Sequence, residues 1–199
     1  MRLVLASKSP RRIQLLSDMG LQFVIAPASI DESHYEARTP LELALRVATA
    51  KAQCIAADYP DSIVLAADTV VDIDGISLGK PTTDREATRM LKTLSGRSHS
   101  VHTGFVLIGS NRTCSDVVSA KVWFRELRDI EIEYYVNSGE PFDKAGGYGI
   151  QGFAATMVER IEGDFYTVMG LPICRLSQML HVEFGVDIHE AIQKSLLDA

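Results

Sequence analysis

A mixed α/β domain is what the sequence predicts, on three observations. Segments of strand length alternate with segments of helical periodicity along the 199 residues, with no internal repeat and no low-complexity linker. Asp74-Gly75 lies between alternating residues (Val71, Ile73, then Ile76, Leu78), a two-residue hairpin signal that puts an antiparallel pair into the sheet. Two capping boxes, Thr39 with Glu42 and Thr83 with Glu86, each open a segment of helical periodicity.

The elements follow in order. Leu3 to Ala6 is a short apolar strand, and Ser9-Pro10 after it starts a helix, Ser as the cap and Pro at the first helical position. Ile13, Leu16 and Met19 continue that helix until Gly20 stops it. A strand near Phe23 to Ala26 leads into a polar loop with Asp31-Glu32. The helix opened by Thr39-Pro40 carries Leu41, Leu45, Ala48, Ala52 and Ile55 on one stripe and ends near Asp58-Tyr59-Pro60. Ile63 to Val71 reads as a buried strand interrupted by Asp68. Ala87, Met90, Leu91 and Leu94 form the stripe of the next helix, which stops at Ser95-Gly96. Strands near Val101 to Ile108 and Val117 to Phe124 follow, joined by a Gly109-Ser110-Asn111 turn, and then a helix over roughly Asp129 to Val136. Ala155 to Ile161 and Phe165 to Val168 read as a hairpin around Glu162-Gly163-Asp164. Pro172 opens a further helix, and a helical tail over 186–199, clearest from about His189, completes one domain spanning 1–199.

Composition narrows the function classes. Nearly half of the residues are hydrophobic (46%) and 23% are charged, which describes an ordinary globular chain with a sizeable core. The formal net charge of −6 argues against nucleic acid or an anionic membrane as the main partner, so any anion site is a local concentration of positive charge. The apolar start is too short for a signal peptide, and no apolar run reaches membrane-spanning length. Cys54, Cys114 and Cys174 are odd in number and widely separated, so reduced thiols in a cytoplasmic protein are expected.

Chemistry concentrates in the first half. Arg11 and Arg12 fall in the first turn of a helix, against the macrodipole, a placement that makes sense if an anion sits there; a solvated basic turn is the alternative. Asp68 inside the run Ile63 to Val71 is the strongest single signal, because burying a lone carboxylate costs several kcal/mol. It calls for a cation or metal beside it, unless it ends the strand facing solvent. Lys80 is the expected neighbour: the simplest hairpin register pairs Thr69 with Lys80, and a departure from the ladder at Gly79-Lys80-Pro81 would bring Lys80 and Asp68 together. Lys51 lies on the flank of its helix's apolar stripe, where its ammonium either projects into a site or snorkels to water. Arg11, Arg12, Lys51 and Lys80, together with Glu32 and Asp68, are the set that metal-assisted phosphoryl chemistry requires.

Gly147 to Gly152 matches G-x-G-x-x-G but fails its context, since no clear strand enters it and no helix follows; no P-loop motif occurs either. These glycines either let backbone approach a flat ligand, with Gln151 offering an amide donor and acceptor, or make a tight irregular connection. His99 and His102 are three apart on a strand and point to opposite faces, which makes them structural rather than a shared metal site.

Six blocks together carry a family resemblance. Leu5-Ala6-Ser7-Lys8-Ser9-Pro10-Arg11-Arg12, Ala67-Asp68-Thr69-Val70-Val71, Gly79-Lys80-Pro81, Leu94-Ser95-Gly96, Asp143 to Gly152 and Val168-Met169-Gly170-Leu171-Pro172 stand in the order and spacing of the Maf family of nucleotide pyrophosphatases, which the chain resembles up to about Phe184. The resemblance implies a fold similar to that of the inosine triphosphatases: an elongated mixed sheet flanked by helices, two lobes and a cleft. It implies hydrolysis of a nucleoside triphosphate to the monophosphate and pyrophosphate with a divalent cation, Mg2+ or Mn2+. By position, Asp68 would accept the proton, Ser7, Arg11, Arg12, Lys51 and Lys80 would contact phosphates, and Glu32 would hold the metal with Asp68, with Asp31 as the neighbouring alternative. Arg12, Thr69 and Gln151 resemble the marks of the subgroup acting on dTTP and UTP, which leaves modified pyrimidine nucleotides as a further candidate substrate class. The resemblance is compatible with a homodimer. The family is also associated with inhibited septum formation, so a nucleotide-binding regulator acting on a partner protein is the alternative. Asp68 separates the two, because binding alone has little use for a carboxylate beside polyphosphate.

Overall fold

The computed structural model describes residues 2–109 and 111–197. β1 (Arg2–Leu5) lies between β2 (Phe23–Ile25) and β3 (Ser62–Ile73), parallel to both. β4 (Ile76–Leu78) folds back on β3 through Asp74-Gly75, with both residues at positive φ (56° and 80°) as a type I′ turn requires. On the opposite edge of β3 the sheet continues antiparallel through β5 (Ser98–Ile108), β6 (Thr113–Phe124) and β7 (Val158–Gly163). Parallel at one end and antiparallel at the other, this is the mixed sheet that the sequence predicts.

The helices cover both faces. α1 (Pro10–Asp18), α2 (Pro40–Ala56), α3 (Asp84–Leu94) and α4 (Asp129–Asn137) fall where capping and periodicity place them. Thr39 and Thr83 accept hydrogen bonds from the N–H groups of Glu42 and Glu86 at 3.2 Å, so both boxes close from the hydroxyl side. The Ser9 side chain makes no such bond; its N–H instead donates to Ser7 Oγ. Leu41, expected in the α2 stripe, is 41% exposed, because the buried face is turned onto Ala44, Val47, Ala48, Ala52 and Ile55. The β5–β6 connection closes with Gly109 N–H on the Arg112 carbonyl at 2.8 Å; Ser110 of the expected turn lies outside the described residues.

Among the secondary-structure elements one expectation fails outright. Phe165 to Val168 is not the second arm of a hairpin but α5 (Phe165–Met169), and Ala155 belongs to a 3-10 turn over Gly152–Thr156 ahead of β7. Asp164 decides it: its carboxylate accepts from the N–H groups of Tyr166 and Thr167 and from the Thr167 hydroxyl, so cap chemistry overrides the β-preferring Phe-Tyr-Thr-Val. α6 (Ile173–Phe184) and α7 (Ile188–Leu197) follow as predicted, though the tail's residues 198–199 lie outside the described residues.

Strand alternation then sorts the core into three parts. Odd residues of β3 and β5 face one side, where Ile63, Leu65, Ala67, Phe105 and Leu107 pack with α1, α6 and α7 at one end. Val71, Ile73 and Val101 pack with α3 and α4 at the other end. Between these lobes, on the same face, the paired residues are polar: Thr69 and Thr103. On the opposite face Val64, Ala66 and Val106 pack against α2. β3 is also interrupted along one edge. β1 pairs with Ser62 to Leu65 and β4 with Val71 to Ile73, so among the described residues the intervening stretch has no ladder partner on that side. A gap in the sheet therefore opens where the two lobes meet.

Candidate active site

Asp68 and Thr69 occupy that gap, pointing to opposite faces of β3, and both line a cleft of about 530 Å³. Its walls come from the β1–α1 connection (Ala6 to Arg12), from Glu32, Lys51 and Lys80, and from the turns running from Glu140 to Gly152. A cleft of this size takes a nucleotide-sized ligand.

The Asp68 carboxylate is held by a lysine, though not the expected one. Its Oδ1 accepts from Lys51 Nζ at 2.7 Å, and the same ammonium lies 2.7 Å from Glu32 Oε1. The cause lies in the packing of α2. Asp68 pairs across the ladder with Gly104, and a Cβ at Gly104 would come within 2.7 Å of the Ala44 and Leu45 backbone. Glycine there lets α2 settle onto the sheet, which carries Lys51 onto Asp68. Lys80 stays exposed at the rim beyond the end of β4, where its charge acts on Glu32.

Electrostatics separate the two carboxylates. Burial holds the Asp68 carboxyl above the usual carboxylate range, against the opposing pull of Lys51 and Arg12. Burial would also raise Glu32, but Lys51, by hydrogen bond and charge, with Lys80 and Arg12, brings it below its ordinary value. Glu32 stands in a 3-10 turn, Glu32–His34, that Asp31 caps by accepting from Ser33. Of the neighbours Asp31 and Glu32, Glu32 is the one that lines the cleft.

Arg12 is not a free cation. Its Nε donates to the Gly170 carbonyl at 2.7 Å, Nη1 to Ser7 Oγ at 3.3 Å and Nη2 to Thr69 Oγ1 at 3.0 Å. The guanidinium is buried, which lowers its pKa, while Asp68 and Glu32 favour its charge. Two of its five N–H groups have no protein acceptor among these bonds and remain for a ligand. Arg11 reaches across the cleft to Asp143 at 3.3 Å. Gln151 is exposed on the cleft wall. Ser7, Arg11, Arg12, Glu32, Lys51, Asp68, Thr69, Lys80 and Gln151, the residues expected at the site, all line one cleft.

A family model described as Maf-like protein matches residues 2–183. The chain belongs to the Maf-like family. Relatives include proteins named dTTP/UTP pyrophosphatase from Moorella thermoacetica (48% identical, covering 94% of this chain and 97% of the relative) and from Carboxydothermus hydrogenoformans (48%, 93% and 100%). A third, from Dictyoglomus thermophilum, is 46% identical, covering 90% of this chain and 94% of the relative. Among solved structures, a HAM1 protein from Coxiella burnetii superposes with a TM-score of 0.50 at 20% identity, covering 90% of this chain and 98% of that one, a likeness of fold.

Two cleft-lining lysines of this Maf-like protein, and one threonine behind the cleft wall, lie outside the set of expected site residues. Lys8 lines the cleft beside the arginines, and Lys144 lines it while bonding the Glu140 carbonyl and Asp143. Thr103 lies directly behind Thr69, fully buried. Only Thr103's place in register opposite Thr69 would have marked it in advance. The histidines are structural, as expected: His99 meets the Tyr148 hydroxyl at 2.6 Å on one face, and His102 meets Ser119 and Asp72 on the other. Among the described residues no cluster of three or more His, Cys, Asp or Glu is arranged to hold a metal, and no helix is long and apolar enough to cross a membrane.

Proposed function

We propose that this protein hydrolyses dTTP and UTP to the monophosphate and pyrophosphate. The observation that carries the reading is Asp68: a largely buried carboxylate, 13% exposed, paired with an ammonium and set in a sheet gap on the wall of a cationic cleft. A carboxylate with a raised pKa is a stronger base than an ordinary one, which suits it to take a proton from water. Relatives bearing the name dTTP/UTP pyrophosphatase along nearly their whole length support the substrate assignment.

In this reading water attacks the α phosphorus. A P–O bond to the water oxygen forms, the bond from the α phosphorus to the bridging oxygen breaks, and pyrophosphate leaves. Asp68 receives the water's proton. Lys51, Lys80, Arg11, the two free N–H groups of Arg12 and the Ser7 hydroxyl hold phosphate oxygens and offset the charge that develops on the leaving group. Glu32 and Asp68 would hold Mg2+ or Mn2+. Their oxygens already converge on a single cation, the Lys51 ammonium, and a hard cation takes carboxylate together with substrate phosphate oxygens. Such an ion supplies charge neutralisation to the triphosphate. Thr69 and Gln151, with Arg12, face the base. The three free cysteines fit a reducing cytoplasm.

The test is a panel of the common triphosphates, assayed with a divalent ion for pyrophosphate and separately for orthophosphate. Pyrophosphate from dTTP and UTP is expected, with ATP and GTP poor substrates. Asp68→Asn should abolish turnover with the fold intact, since an amide cannot accept the proton. Orthophosphate as the product, or wild-type turnover in that variant, would remove the assignment.

A further inference from the structure

Thr103 is fully buried beneath the cleft, paired with Thr69 across the β3–β5 ladder. Its hydroxyl lies 2.7 Å from the Thr167 carbonyl of α5 and 2.9 Å from Thr69 Oγ1, which in turn lies 3.0 Å from Arg12 Nη2. The direction of every bond in this chain is forced from its two ends. A carbonyl only accepts, so the single Thr103 proton goes to Thr167; sent to Thr69 instead, it would leave two buried acceptor oxygens facing each other. A guanidinium only donates, so Thr69 accepts from Arg12. Thr69 must then give its own proton to Thr103. What remains of the Thr69 hydroxyl for the cleft is a lone pair.

We propose that Thr103 is a specificity-determining positioning residue: by taking the Thr69 proton it makes Thr69 an obligate acceptor toward the base. A fixed acceptor selects a ring N–H. Uracil and thymine present one at N3, whereas cytosine presents a lone pair at that position and meets Thr69 acceptor to acceptor. Gln151 cannot make this distinction alone, because its amide can rotate to show either a donor or an acceptor. The locked hydroxyl cannot turn. The inference rests on the reading that Thr69 faces the base of a pyrimidine triphosphate.

The test measures kcat/KM for UTP, dTTP, CTP and dCTP with wild type, Thr103→Val and Thr103→Ser, and for N3-methyl-UTP with wild type. Valine keeps the shape but frees the Thr69 proton, so the UTP-over-CTP ratio should fall about tenfold or more, the scale of one misdirected hydrogen bond to a buried group. Serine keeps the acceptor and should retain the wild-type ratio. N3-methyl-UTP, with its donor blocked, should be a poor wild-type substrate. Valine lowering all four substrates in proportion would reduce Thr103 to a packing role and overturn the proposal. Wild type accepting N3-methyl-UTP as readily as UTP would also overturn it, even if the valine variant fails to fold. Wild type releasing no pyrophosphate from any pyrimidine triphosphate would instead overturn the function on which the inference rests.

Discussion

Lys51 joins Asp68 to Glu32: one ammonium stands 2.7 Å from an oxygen of each. Without that charge the two carboxylates would face each other across a half-buried space, and Asp68 would be harder to ionise. Lys51→Met keeps the stem and removes the charge. It should lower kcat/KM at least about tenfold and move the acid limb of the pH–rate profile upward, because a carboxyl that loses a cation needs a higher pH to serve as base. Stability should fall by about 1–2 kcal/mol in urea unfolding, less than for a fully buried pair because Glu32 is partly solvated. An acid limb that stays in place would show that Lys51 does not tune Asp68.

Gly104 sets how closely α2 approaches that pair. Gly104→Ala forces a Cβ within 2.7 Å of the Ala44 and Leu45 backbone, which cannot rotate away. The helix must shift, at a cost of about 1–3 kcal/mol, and Lys51 shifts with it. Melting temperature and kcat should both drop. Loss of stability with full kcat would mean that Lys51 follows Asp68 independently of the helix seat.

Gln151 is tested by selectivity. Gln151→Ala should reduce kcat/KM for dTTP by about 1–3 kcal/mol, a base edge left without its partner, with less effect on any purine turnover. A uniform loss across the triphosphate panel would make Gln151 a support for its loop.

His99 gives a pH dependence of folding. Burial pushes its pKa down to about 4 from the ordinary 6.5, so the folded state holds it neutral while the unfolded chain protonates it first. Its contribution is therefore complete above pH 6.5 and is lost as pH falls from 6.5 toward 4, by on the order of 3 kcal/mol in total. His99→Gln does not titrate, so the stability difference between wild type and variant should shrink, then reverse, on acidification. A difference that is constant from pH 7 to 4.5 would contradict a buried neutral imidazole.

What the sequence made legible was local chemistry. Thr39, Thr83 and Asp74-Gly75 are read correctly because a cap or a type I′ turn needs only its own neighbours. Asp68 stands out because a carboxylate in an apolar run is costly wherever the run is buried. Its partner was not legible, since Lys51 reaches it only after α2 has crossed at Gly104, a packing event that periodicity does not record. Arg12 was legible as a cation near an anion site, but not as one anchored to a carbonyl 158 residues away. α5 is not legible from its own four residues, whose β preference is overridden by the single aspartate that caps them.

The unpaired stretch of β3 carries a consequence for how this cleft changes over evolutionary time. Both apolar lobes stand beside the gap rather than beneath it, and Asp68 and Thr69 contribute to neither. Exchanging Thr69 for another side chain therefore opens no void in a lobe and breaks no ladder bond on that edge. Thr103, Thr167 and Arg12 set which exchanges remain compatible with the proton order behind it. Ligand preference can thus drift at one half-buried position of the cleft wall while both cores, and the folding free energy they supply, stay as they are.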